Sequence, residues 1–362
     1  LVIRLLKTLA IPLVLFAIVN AILKTPFSGR QGRKLLLICA ANVTVALTIG
    51  LLIMNSLEPG KYWKDSIPGL TGAVKMNATL HSSTPSNKPT LHPLKNLAGY
   101  IPENLLQPFQ SNNIISVILV ALLGGFALRK VKENAPDSGA SIDFLEHCIS
   151  AIYECLVQML HWVVRAVPFA VFGLVAHSVA RSGLDVFSSL WIFVVVLVSG
   201  LVIHGALYYP LVAWIFAGKS PKELFAQGAD ALVMGVSTNS SLVTVPTTLN
   251  CLTRNMGVSD QSARLSACVG TNLNNDGVTL YEAMTVLFLA QAFGMDLSLG
   301  TQLVIVGASI MAAVGVAGVP EAGLIVLPLV LSAAGLPDWL VAAAIPLILP
   351  VDWLVARARS GV

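Results

Sequence analysis

The chain alternates long apolar stretches with short polar joints, and two of the stretches are interrupted in a way the others are not. Uninterrupted apolar spans lie near 1–23, 35–54, 113–128, 151–180, 189–217, 265–293 and 338–356. A helix needs roughly 20 apolar residues to cross a bilayer core, so the short span at 113–128 is expected to recruit its neighbours. Segments near 228–250 and 301–335 are apolar but broken by Pro, Gly and polar residues. The first has two short arms around a Ser/Thr-rich tip. That shape predicts a re-entrant hairpin, because irregular backbone at membrane depth persists only where protein or a water-filled cavity satisfies it. Leu242 to Pro246 (LVTVP) in the first broken segment is echoed by Val316 to Pro320 (VAGVP) in the second. Interrupted segments in corresponding positions of two halves point to the midplane binding site of a transporter.

Composition sets the same scene. With 56% apolar residues, 11% charged residues and a mean hydropathy of +0.80, the chain reads as an all-α integral membrane protein. The net charge of +4 is spread over loop ends without a long basic run, so the expected surroundings are membrane lipid and no nucleic acid. Lys24, Arg30, Arg33 and Lys34, then Arg129, Lys130 and Lys132, then Lys219 and Lys222, then Arg254 and Arg264 mark the cytoplasmic joints. The 55–112 stretch, rich in Pro, Ser, Asn and Lys, is expected to be an exposed, partly disordered extracytoplasmic loop carrying a glycosylation acceptor sequence at Asn77. Five cysteines without a Cys-x-x-Cys pair read as small buried residues. Residues 1–23 lack the pattern of a signal peptide, and the chain is expected to start partway into a longer protein.

Candidate chemistry concentrates between Ser237 and Ala283. Asn272, Asn274, Asn275, Asp276 and Glu282 sit inside an apolar span, where such residues default to a functional reading. A helix broken from Asn272 to Gly277 frees carbonyl oxygens that suit a hard cation, and Asp276 offsets its charge. No basic residue lies in the same span to pair with Asp276. Ser240, Ser241 and Thr244 occupy the first hairpin tip, where helix N-termini attract a carboxylate. Rings of like charge expected of an anion channel are absent from the sequence. The six histidines are scattered without a His-Glu-x-x-His pair or nucleophile motif, which argues against an enzyme. A receptor that binds substrate without moving it is the other class of reading, and uptake into sealed vesicles separates it from a transporter.

Asn274-Asn275-Asp276-Gly277 followed by Leu280-Tyr281-Glu282-Ala283, together with Gly318-Val319-Pro320 and Ala322-Gly323, resembles the dicarboxylate/amino acid:cation symporter family, which includes the excitatory amino acid transporters. Arg4 to Lys7 with Ile11-Pro12 resembles its second helix and Asp352-Trp353 its eighth, so the resemblance covers nearly the whole chain. It implies a glutamate-transporter-like fold with two re-entrant helical hairpins and inverted repeats, a homotrimer, and a multi-pass protein of the plasma or bacterial inner membrane. Residues 1–217 then hold helices two to six and the trimerisation scaffold. Residues 218–362 form the transport core, with hairpin one at 228–250, helix seven at 265–293, hairpin two at 301–335 and part of helix eight at 338–362.

The resemblance also implies roles. Substrate falls to Ser240, Ser241, Thr244, Val316, Gly318, Val319, Pro320, Ala356 and Arg359; the coupling cation falls to Asn42, Thr271, Asn274 and Asp276, with Na⁺ at the last two; Glu282 carries a proton. Co-transported Na⁺ and/or H⁺ take the place of any cofactor, and movement is elevator-like. Departures from the family pattern shape the substrate expectation. The Asp that holds a substrate ammonium is Ala356 here, Val278 removes a hydroxyl, and the positions of a third cation site read Cys39, Asn42 and Val43. Arg359 offers a fork for a second carboxylate, although anchoring at a helix end also explains Arg357 and Arg359. An unpartnered buried ammonium costs several kcal/mol, whereas one lost neutral hydrogen bond costs about 0.5–1.5 kcal/mol. The sequence therefore favours C4-dicarboxylates over aspartate or glutamate as the small anionic solute.

Overall fold

A computed structural model describes residues 2–24, 30–66, 102, 104–110, 114–134, 139–182, 185–315, 322–336 and 338–362. Among these, every regular element is helical. The long helices are α1 (Val2–Lys24), α2 (Arg30–Leu57), α3 (Pro59–Ser66), α4 (Ile114–Asn134), α5 (Gly139–Ser182), α6 (Asp185–Val202), α7 (Tyr209–Ala217), α8 (Pro221–Thr238), α9 (Ser241–Asn250), α10 (Asp276–Ala292), α11 (Leu299–Gly315), α12 (Ala322–Ala333) and α13 (Asp338–Gly361). Wide π-helical turns at Ile203–Tyr208, Cys251–Asn255 and Leu265–Gly270 lie between some of them.

Helix α10 is the axis of the packing. Every residue from Asp276 to Ala290 is buried, the state of a helix surrounded on all sides. Helices α2, α3, α6, α11, α12 and α13 cover it, while α1 packs on α4 and α5. Phe193 of α6 stacks on Phe288 of α10 with ring centroids 4.1 Å apart, a contact worth ~0.5–1.5 kcal/mol beyond the area it buries. The outer surface is apolar in turn: Phe169, Phe172 and Phe216 are largely exposed. Gly32–Leu57 and Leu190–Ala217 are long and apolar enough to cross a membrane.

Most expected spans correspond to helices, with informative shifts. The short span at 113–128 continues to Asn134, and the 151–180 span is the C-terminal part of the long α5. The start of the expected 55–112 loop is instead α3, packed against α6 and α10. The Gln291 side chain explains the attachment: its Oε1 accepts from Gly60 N (3.2 Å) and its Nε2 donates to Met54 O (2.9 Å), so the polar backbone of the α2–α3 joint is satisfied by the core helix. Residues 67–101, with Asn77, lie outside the described residues. The cysteines divide: Cys39 and Cys251 are buried as expected, but Cys155 and Cys268 are exposed.

Helices α8 and α9 form a hairpin whose ends follow from local chemistry. Ser220 and Glu223 make a reciprocal capping box ahead of α8, with Pro221 in the first turn. Asn239 ends α8 in the left-handed region at φ 51°, a conformation Asn tolerates better than most residues. Ser240 then caps α9, so the turn is only two residues long. Hydroxyls of Thr238 and Thr244 both donate to the Ser240 carbonyl, at 3.3 and 2.9 Å.

Candidate functional site

A cavity of about 440 Å³ opens where α2, the α8–α9 tip, the start of α10 and the end of α13 meet, a size ordinary for a small-molecule site. It gathers Asn42 from α2, Ser240, Ser241 and Thr244 from the tip, Thr271, Asn274 and Asp276 from the broken helix, and Arg359 from α13. Of the remaining expected residues, Ala356 is buried but outside the cavity lining, and Glu282 is buried deeper along α10. Val316, Gly318, Val319 and Pro320 lie outside the described residues.

The break before α10 is narrower than the expected Asn272–Gly277 interval. Only Asn274 (φ −109°, ψ 75°) and Asn275 (φ −106°, ψ 51°) leave the helical region. Asn274 N closes the preceding turn on Gly270 O (2.7 Å), and the Asn275 carbonyl already accepts from Thr279 N and Oγ1 (3.1 and 3.0 Å), so helix resumes at once. Asn275 Nδ2 donates to Ala313 O (3.2 Å), which ties the break to α11.

Asp276 is 2% exposed and partnered from another part of the chain. Tyr209 OH donates to its Oδ2 (2.5 Å), Asn274 Nδ2 donates to the same oxygen (3.1 Å), and His204 Nε2 lies 3.1 Å away. With a carboxylate as acceptor, His204 carries its proton on Nε2. Asp276 Oδ1 has no hydrogen-bond partner among the described residues. The network continues outward: Asn274 Nδ2 also reaches Tyr209 OH (3.0 Å), Asn42 Nδ2 donates to Asn274 Oδ1 (3.3 Å), and Tyr208 OH donates to Asn42 Oδ1 (2.9 Å). The π-turn Ile203–Tyr208 makes this possible. Its i→i+5 bonding puts an extra residue in the turn, so both tyrosines lie beside His204, with ring centroids 5.0 and 4.8 Å away.

Arg359, in the last turn of α13, is buried. Its Nη1 donates to Asp352 Oδ1, seven residues earlier on the same helix, and its guanidinium lies 4.6 Å from the centroid of the Tyr281 ring. The exposed Arg357, by contrast, lies over the exposed Trp353 ring. Two glycines permit the arrangement. A Cβ on Gly277 would collide with the Arg359 carbonyl, so α13 crosses α10 at backbone distance, and one on Gly323 would collide with the side chains of the Arg359–Asp352 pair. Ser360 Oγ donates to Asn239 Oδ1 (2.7 Å), tying the same helix end to the hairpin tip. Glu282 is fully buried, and neither carboxyl oxygen has a hydrogen-bond partner among the described residues.

His204, Tyr208 and Tyr209 are the site residues that sequence reasoning missed. The available signal was a histidine inside a long apolar helix, which by itself marks a functional candidate.

Comparison with known proteins converges on one group. The chain is 26% identical over 400 residues to excitatory amino acid transporter 3 of Mus musculus, covering 99% of this chain and 74% of that protein. It is 27% identical over 402 residues to excitatory amino acid transporter 3 of Oryctolagus cuniculus, with the same coverage. It is 26% identical over 406 residues to excitatory amino acid transporter 2 of Homo sapiens, covering 99% and 69%. The model of the sodium:dicarboxylate symporter family matches residues 1–362, and the chain, a membrane transporter and not an enzyme, belongs to that family.

Proposed function

We propose that this chain carries a small anionic solute with two carboxylates into the cell by symport, using the cavity between the α8–α9 tip and the broken helix. The observation that supports this reading is convergence: a charged cation partner (Asp276), a carboxylate partner (Arg359) and a capped hairpin tip (Ser240, Ser241, Thr244) line one cavity. Asp276 Oδ1, Asn274, Asn42 and Thr271 then serve the coupling Na⁺, which is cargo and not a resident metal. Glu282 serves a proton, because burying an unpartnered carboxylate costs far more than burying the neutral acid.

Acidic amino acids are the leading substrate class, which reverses the order expected from the sequence. The relatives are transporters of excitatory amino acids by name, and Ala356 sits outside the cavity lining, so the missing carboxylate there weighs less than the sequence implied. A C4-dicarboxylate such as succinate is the second reading, favoured by the same Ala356. Competition decides between them: aspartate and glutamate are expected to inhibit uptake of labelled aspartate in vesicles more strongly than succinate, malate or fumarate. The reverse order restores the dicarboxylate, and strong inhibition by serine removes Arg359 from the site.

The same reading extends to architecture. Hairpins α8–α9 and α11–α12 re-enter the membrane as corresponding parts of two inverted repeats in a multi-pass protein. Residues 218–362 move as a transport core against a scaffold within residues 1–217, in an elevator-like manner, and three copies assemble through that scaffold in a lipid membrane. Chemical cross-linking in membranes tests the last point, with a ladder ending at three copies as the expected result.

A further inference from the structure

We propose that Tyr209 and His204 are built-in partners of Asp276 that compete with the coupling cation and set the Na⁺ concentration at which its site fills. The inference rests on the reading that Asp276 receives Na⁺. Its basis is the division of labour within one carboxylate. Oδ2 takes donors from Tyr209, His204 and Asn274, whereas the buried Oδ1 faces none among the described residues. Each donor places the positive end of its dipole beside the carboxylate and draws negative charge toward Oδ2, which weakens the attraction left at Oδ1 for an arriving cation. A carboxylate with no such donors would hold Na⁺ more tightly and release it more slowly. Tyr209 is the strongest lever, because its hydroxyl makes the shortest of the three contacts and its ring is held independently, edge-on to His204. Tyr208 has the same chemistry but spends its hydroxyl on Asn42, one step removed from the carboxylate.

The test is a melting-temperature titration of the purified full chain with NaCl, choline chloride holding the ionic strength constant, since a bound ion stabilises in proportion to the logarithm of its saturation. Tyr209→Phe keeps the ring and deletes the donor. Losing one hydrogen bond to a charged group is expected to lower the half-saturating Na⁺ concentration by about tenfold, from a lower melting temperature without Na⁺. Damage to the fold alone would lower the melting temperature without tightening Na⁺. Tyr208→Phe is expected to change the constant by less than about twofold. Should Tyr209→Phe fail to fold, His204→Phe, which keeps a ring and removes the other cross-chain donor, is expected to shift the constant in the same direction. An unchanged or raised constant in a Na⁺-responsive protein overturns the inference alone. A wild type whose melting temperature ignores Na⁺ overturns the coupling reading and the inference with it.

Discussion

Helix α10 carries two fully buried carboxyl groups less than two turns apart, and the protein treats them in opposite ways. Around Asp276 the chain breaks the helix, takes two asparagines out of helical conformation and brings His204 and Tyr209 from around a π-turn to meet one carboxylate oxygen. Around Glu282 it does nothing of the kind: the side chain lies among buried neighbours with both oxygens unpartnered among the described residues. The first environment brings three donors to one carboxylate oxygen; the second brings none among the described residues. On the proposed reading, a single helix presents one group to the coupling cation and another to a proton. Identity of the side chain does not decide this; the partners supplied by other helices do.

The contrast is broken most severely by removing the charged member. Asp276→Asn is expected to reduce Na⁺-driven uptake by about a hundredfold or more, since it leaves His204, Tyr209 and the cation facing a neutral amide. Uptake in sealed vesicles at saturating Na⁺ checks it. A second test probes the buried pair beside Glu282. Asp352→Asn removes the carboxylate to which Arg359 Nη1 donates, at an expected cost of about 3–5 kcal/mol of stability and a drop of several degrees in melting temperature. The double variant Asp352→Asn with Arg359→Gln is expected to lose less than the sum of the two singles, as groups in contact do.

Smaller effects sharpen the comparison. Glu282→Gln keeps shape and neutrality, so stability is expected to stay within about 1 kcal/mol of wild type while the pH dependence of net uptake flattens and substrate exchange persists. Exchange measured with labelled substrate on both sides of the membrane separates the two. Least of all, Asn42→Ala removes one donor to Asn274 and one acceptor for Tyr208. It is expected to raise the Na⁺ concentration for half-maximal uptake by about three- to tenfold without changing the maximal rate.

The sequence revealed what local pattern encodes. Asp276 and Glu282 stood out because charge in an apolar span has few innocent explanations, and the hairpin was visible in the Ser/Thr-rich tip that became Asn239 and Ser240. The spacing of Asp352 and Arg359, seven residues on one helix, places them on one face, although sequence alone left Arg359 as a possible anchor. The partners of Asp276 were out of reach because His204 and Tyr209 stand 72 and 67 residues away, and no local periodicity announces a contact of that range or the π-turn that aims it. Helix α3 was hidden for a different reason. It is a short run beginning with Pro and Gly and carrying lysines, which reads as loop until Gln291 is seen to satisfy its backbone.

The most direct test of the two-carboxylate account is uptake of labelled aspartate by sealed vesicles under imposed gradients, a Na⁺ gradient and a proton gradient in turn, for wild type, Asp276→Asn and Glu282→Gln. The account predicts that wild type responds to both gradients, that Asp276→Asn loses the response to Na⁺, and that Glu282→Gln keeps the response to Na⁺ but loses the response to protons. If both variants lose the same response, or if Glu282→Gln alone abolishes Na⁺ drive, the division of roles along α10 is wrong.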